Sequence, residues 1–197
     1  RRLLRLEEAL EETTAAQRGF RDLGARWELA SATGDRGATL RLAGRLEEAE
    51  ADLREALRLC RELGERSLVS WTASELALVL LARGDPDGAR RAVHDPAARA
   101  GAAEPGAAVS LLRAEAALAL VRGDRGWALA RAVEALELSR RQAQPNPLVA
   151  QVVWVAELFG AEAAGGEEAV AEARARLEAA HWRHAFQEPR FVAALVD

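Results

Sequence analysis

Apolar positions recur along this chain with helical spacing. Leu46, Ala49, Leu53, Ala56, Leu57 and Cys60 follow the i, i+3, i+4, i+7 rule of one buried helix face, with charges on the opposite face. The punctuation between such stripes is regular. Arg5-Leu6-Glu7-Glu8-Ala9 returns 40 residues later as Arg45-Leu46-Glu47-Glu48-Ala49, and Leu23-Gly24 returns at the same interval as Leu63-Gly64. The turn Gly44-Arg45 is followed by Gly84-Asp85 after 40 residues, Gly123-Asp124 after 39 and Gly165-Gly166 after 42. Pro105, Pro147 and Pro189 form a second series spaced by 42. Two independent markers at one period indicate a repeat of about 40 residues, each unit a pair of helices that buries its stripe against the next pair.

The pattern predicts helices over 5–23, 25–43, 45–63, 65–82, 86–102, 105–122, 125–142, 147–162, 167–186 and 189–196. Asp85-Pro86 and Asn146-Pro147 place a capping side chain before a proline in the first helical turn, and Pro105 and Pro189 also sit at helix starts. The chain then divides as a single solenoid: a partial repeat 1–24, repeats 25–64, 65–104, 105–146 and 147–188, and a partial repeat 189–197. Two segments interrupt the pattern. Thr33-Gly34-Asp35-Arg36-Gly37 puts two glycines inside a helix, where each costs about 1 kcal/mol against alanine, so fraying or a kink is expected there. Pro96, after His94-Asp95, predicts a broken or restarted helix.

These residues resemble a known family. A glycine-Asp turn, a small residue some six places before it (Ala77, Ala117), and Ala49, Ala89 or Ala128 five residues after the turn glycine, with Leu53 and Ala56 following, is similar to the tetratricopeptide repeat. The resemblance covers nearly the whole chain and implies an all-α, right-handed superhelical solenoid of antiparallel helix pairs with a concave, ligand-binding face. The period is longer than the family's usual 34 residues and resembles its long-helix variety. Glu62-Leu63-Gly64-Glu65-Arg66 and Leu81-Ala82-Arg83-Gly84-Asp85 look most like the sensor solenoids of STAND-type ATPases and of transcription regulators from high-GC bacteria. Two positions depart from the pattern: Pro96 stands where Ala56 would recur, and Arg36 where Leu76 would.

The resemblance also places first-position helices along the groove. Stepping by the period from Glu75 reaches Asp35, Glu115 and Glu157, so an acidic residue recurs in four first helices. The positions four before are Ser31, Trp71, Leu111 and Val153, and those three after are Ala38, Leu78, Leu118 and Gly160. The implied ligand site is an apolar groove with an acidic ladder, built from Asp35, Trp71, Glu75, Leu78, Leu111, Glu115, Leu118 and Glu157 and suited to an extended peptide or partner helix that carries Arg or Lys. The competing reading is that glutamate is a good helix former and recurs with the repeat, paired to a nearby arginine. Carboxylates on adjacent helices would repel in an open groove, so neutralising them should be well tolerated.

Composition narrows the function. The chain contains no Lys, Ile, Met or Tyr, a codon-bias signature of a high-GC bacterial genome, so its arginines carry no nucleic-acid message. A net charge of -4 disfavours direct nucleic-acid binding. Without lysine there is no Walker A loop, Schiff-base lysine or Ser-Lys dyad, and the family's lysine clamp for a C-terminal carboxylate is missing too. The longest apolar run, Leu76 to Ala82, is far short of a bilayer span, and no apolar signal core follows Arg1-Arg2. The single Cys60 lies on an apolar stripe and suits a reducing compartment.

Catalytic and metal chemistry find little support. His181 and His184 share a helix face without a third ligand in sequence, and His94-Asp95 has no accompanying nucleophile motif. Most of Trp27, Trp71, Trp127, Trp154 and Trp182 should be core, with Trp71 on the groove. The expectation is a non-catalytic protein- or peptide-binding segment with no cofactor and no metal, part of a larger cytoplasmic regulator and in contact with its other domains. The alternative is an independent scaffold, or an accessory region of an enzyme-containing effector such as a protease. Helix 5–23 lacks a partner and 189–197 is a partial unit, so apolar stripes exposed at both ends are expected to drive end-to-end self-association.

Overall fold

The computed structural model describes residues 2–141, with residues 168 and 171 in addition. Along 2–141 run α1 (Arg2–Asp22), α2 (Arg26–Leu42), α3 (Leu46–Leu63), α4 (Arg66–Ala82), α5 (Pro86–Val93), α6 (Pro96–Gly101), α7 (Pro105–Val121) and α8 (Arg125–Arg140). Each helix packs on its chain neighbours, and α4 also meets α6 and α7 across the turn of the repeat. The described residues therefore form an all-α solenoid of antiparallel helix pairs.

The glycine period has a backbone cause. Gly24, Gly44, Gly64, Gly84 and Gly123 have φ between 66° and 79°, the left-handed region that only glycine enters freely. In each turn the next residue's N–H reaches back to the helix's last turn, as in Arg45 to Leu40 O at 2.9 Å, Glu65 to Cys60 O at 3.0 Å and Asp85 to Leu80 O at 2.8 Å. One turn geometry, repeated, sets one spacing between helices.

α3 and α4 illustrate two solutions to burial. The stripe of α3 buries Ala49, Leu53, Ala56, Leu57 and Cys60, while its outer face carries the pairs Arg45–Glu48, Arg54–Glu50 and Arg58–Glu55, each at 2.6 Å. Such exposed pairs contribute little individually. α4 is apolar nearly all round and buries every residue from Thr72 to Leu81, because α2, α3, α5, α6 and α7 surround it. One continuous core runs from Leu10 through Leu53, Val79 and Val93 to Leu111 and Leu118. Burial pushes the Cys60 thiol up, in keeping with its place in that core.

The expected break at Pro96 is present. α5 ends at Val93, and α6 restarts with Asp95 accepting from the N–H groups of Ala97 and Ala98 at 3.0 and 3.1 Å. Asp95 also takes Arg61 from α3 at 3.0 Å, so His94-Asp95 is a structural joint.

The fraying expected at 33–37 does not occur: α2 is continuous from Arg26 to Leu42. A Cβ on Gly34 would lie 2.5 Å from Trp71 Cζ3, and one on Gly37 would lie 2.7 Å from Leu53 Cγ. The two glycines let α4 and α3 press a tryptophan and a leucine against the α2 backbone, and that packing offsets their poor helix propensity. Arg36 is explained as well. It forks onto the Asp52 carboxylate of α3 with two bonds of 2.6 Å, so an ion pair stands where the register would place an apolar contact.

Two further expectations need correction. Trp27 and Trp127 are 47% and 50% exposed, so neither is a core residue. The outer face of α1 is polar rather than an open apolar stripe: Glu7, Glu8, Glu11, Glu12, Arg18, Arg21 and Asp22 are exposed, while Leu10 is buried. Gln17 ties this helix to Thr33 of α2 through a buried hydrogen bond of 2.8 Å. Trp154, Trp182, His181, His184 and the 189–197 partial unit lie outside the described residues.

Candidate functional site

α2, α4 and α7 are the first-position helices of the described repeats, and they carry three of the four ladder acids. The structure sorts these acids into different environments. Glu75, on α4, is 4% exposed. Its carboxylate receives Arg41 from the end of α2, at 3.1 Å, and Arg113 from the middle of α7. Burial alone would push the Glu75 carboxyl up, but the guanidinium groups of Arg113 and Arg41 outweigh it and hold the group below its ordinary range. Arg41 and Arg113 are themselves buried. The trio fastens three successive repeats together through one carboxylate.

Glu115, on α7, is also buried and pairs with Arg99 of α6, whose side chain stays half exposed. Asp35, on α2, is different. Its surface is exposed, and among the described residues no cation pairs with it. The neighbouring Arg36 is committed to Asp52, and Arg41 to Glu75. Protein around Asp35 displaces enough water to raise its carboxyl above the ordinary carboxylate range, and the charge of Glu75 adds to the rise. Glu157 lies outside the described residues.

The apolar members of the proposed groove divide in the same way. Leu78, Leu111 and Leu118 belong to the continuous core. Trp71 is half-buried with its ring on Gly34, and Ser31 and Ala38, one turn to either side of Asp35, are half-buried. Among the described residues of the ladder region, Ser31, Asp35 and Ala38 on α2 and Trp71 on α4 stay accessible. Sequence reasoning missed Arg41, Arg99 and Arg113. The signal was present, since one period on from Arg41 stands Leu81 and one period back from Arg113 stands Ala73. An arginine on an otherwise apolar helix face needs a buried acid.

Asp35 and Glu75 titrate with opposite consequences. A carboxyl whose folded pKa is raised is held protonated more readily when folded, so its ionisation opposes folding and that cost fades as pH falls through the raised value. Asp35→Asn is expected to stabilise the chain at neutral pH by up to about 0.5 kcal/mol, the size of a relieved like-charge contact. The gain should shrink toward zero in acid. Urea unfolding of both proteins at pH 7 and in mildly acidic buffer checks this, and a loss of stability at pH 7 would contradict it.

Among the described residues no helix is long and apolar enough to cross a membrane, and no group of three or more potential ligands could hold a metal ion. The tetratricopeptide-repeat family model matches residues 28–93, from the first turn of α2 to the end of α5. No curated protein matches the chain. Tetratricopeptide repeats generally mediate protein–protein interaction and are typically non-catalytic. Together, the family match over 28–93 and the stacked helix pairs of 2–141 give the described residues a tetratricopeptide-type solenoid fold.

Proposed function

We propose that this chain is a non-catalytic, protein- or peptide-binding segment of a larger cytoplasmic bacterial regulator, its sensor or interaction part, with repeats at 25–64, 65–104, 105–146 and 147–188. The observation that carries the reading is the placement of α2, α4 and α7 as successive first helices joined by Arg41, Glu75 and Arg113, with Ser31, Asp35, Ala38 and Trp71 left accessible beside the joint. A rigid helix array with an accessible strip is preorganised for an extended guest, which reduces the ordering cost of binding. Interaction through the partly uncovered aromatic Trp71 suits such a guest.

The test is selection from a random peptide library displayed on phage, with the 197-residue chain immobilised. Peptides of a shared pattern should be enriched, and their binding should fall when Ser31→Arg fills the strip one turn before Asp35. Absence of any enriched pattern, or binding indifferent to Ser31→Arg, would overturn the reading.

A further inference from the structure

The break at Pro96 leaves α6 as a six-residue helix with very little apolar anchorage. Pro96, Ala97, Arg99 and Ala100 are exposed, and only Ala98 and Gly101 are buried. One methyl group is therefore all the apolar side chain that α6 gives to the core. A helix this short does not stand by itself. What holds it is polar or steric: Asp95 takes Arg61 of α3 at 3.0 Å, Arg99 takes Glu115 of α7, and Gly101 sits against Arg66 and Ser70 of α4. Arg61 and Arg99 are both about half exposed, and ion pairs with so wet a member contribute little. The seat beneath α6 is also unsatisfied. Ser70 is fully buried, a Cβ on Gly101 would lie 2.9 Å from its Cβ, and its hydroxyl has no hydrogen-bond partner among the described residues. The helices on either side are anchored differently: α4 buries every residue from Thr72 to Leu81, α7 buries every residue from Val109 to Leu120, and the two pack directly on each other.

We propose that α6 is a strap that lifts by local unfolding while α4 and α7 stay folded, turning on His94-Asp95 at one end and Ala102-Ala103-Glu104 at the other. Lifting gives up one buried methyl, two partly exposed ion pairs and a few hydrogen bonds. The last of these are long, with Ala102 N–H to Arg99 O at 3.2 Å and Glu104 N–H to Gly101 O at 3.4 Å. In return the Ser70 hydroxyl regains a hydrogen bond from water, and the segment regains its conformational freedom. Few apolar contacts and exposed backbone hydrogen bonds are the marks of a unit that opens below the global unfolding free energy. The consequence is electrostatic. Glu115 is buried and paired with Arg99, so the closed strap both occupies and covers this acid. The lifted strap uncovers a carboxylate in the middle of α7, at a ladder position, and α6 thereby controls access to it. This device stands apart from the interaction reading above, and neither depends on the other.

The experiment places a thiol under the strap with Ser70→Cys and uses native Cys60, buried on α3, to report global unfolding in the same molecule. Both thiols are alkylated with iodoacetamide and followed separately by peptide mass spectrometry. The thiol at position 70 should react at least about tenfold faster than Cys60, at a rate that low urea barely changes, because a small opening exposes little surface. The Cys60 rate should climb steeply with urea. Arg99→Ala should speed the reaction at position 70 by about tenfold or more, the loss expected for one hydrogen bond between charged groups. Arg36→Ala, which unpairs α2 from α3, should leave that rate unchanged. Equal rates and urea dependence at the two thiols, indifference to Arg99→Ala, or equal acceleration by Arg36→Ala would overturn the proposal. Amide hydrogen exchange on the unaltered chain covers the case in which Ser70→Cys disturbs the seat. Arg99, Ala100, Gly101 and Ala102 should exchange together, at least about a hundredfold faster than Leu76–Leu81 of α4 and Ala114–Leu118 of α7. Equal protection in the three helices would overturn the proposal as well.

Discussion

Glu75→Gln should destabilise the chain by about 3–5 kcal/mol, because it leaves the buried guanidinium of Arg113 facing a neutral amide and takes from buried Arg41 its pairing with this carboxylate. At roughly 2–4 °C per kcal/mol for a chain of this size, the thermal midpoint should fall by about 10 °C. The cost arises from stranding charge, not from losing a favourable bond as such. Replacing all three members by apolar residues of similar volume should therefore recover most of the stability, which a series of single and triple variants in urea would reveal. The pH dependence follows with the opposite sign to that of Asp35. Since the folded Glu75 carboxyl is held below its ordinary value of 4.5, its contribution is complete above that value and is lost as pH falls through the depressed one. A Glu75→Gln protein with wild-type stability at neutral pH would show that the trio does not hold the repeats together.

The second large effect is steric. Gly101, at the end of α6, comes so close to α4 that an added Cβ would lie 1.8 Å from the carbonyl oxygen of Arg66 and 2.6 Å from its carbonyl carbon. A flexible side chain could step aside, but a backbone carbonyl at the first turn of α4 can move only with its helix. Gly101→Ala should cost about 3 kcal/mol, the upper end of ordinary overpacking. Gly19, on the exposed side of α1, has nothing within 4 Å of the same construction. Gly19→Ala should accordingly stabilise by up to about 1 kcal/mol through helix propensity alone. Thermal unfolding of the pair separates the two causes, and similar effects from both substitutions would contradict the close approach of α6 to α4.

The helices of 2–141, their turns and the restart at Pro96 were legible in the sequence because each depends on local chemistry: a left-handed glycine, an Asp before proline, an apolar stripe at helical spacing; the helices expected at 147–162, 167–186 and 189–196 lie outside the described residues. What was not legible depends on partners across the fold. Gly34 and Gly37 look like helix breakers until Trp71 and Leu53 are seen filling the space they leave. The acidic ladder was visible as a repeat, but its members differ in their counter-ions, and those do not repeat. Arg41 and Arg113 stand at different register positions, so no periodic reading could pair them with Glu75. Arg36 was flagged as a departure from the pattern, yet its partner Asp52 sits on the next helix and becomes evident only in three dimensions. The expectation that neutralising ladder acids is well tolerated presumed unpaired carboxylates, and Glu75 is paired with two arginines.

Glu75 fastens the repeats, and Asp35 is left exposed beside it. Urea unfolding of Glu75→Gln and Asp35→Asn side by side, at pH 7, tests it most directly. Opposite signs are expected: a loss of about 3–5 kcal/mol for Glu75→Gln and a gain of up to about 0.5 kcal/mol for Asp35→Asn. Two losses of similar size would mean that both acids serve the fold alike, and would contradict it.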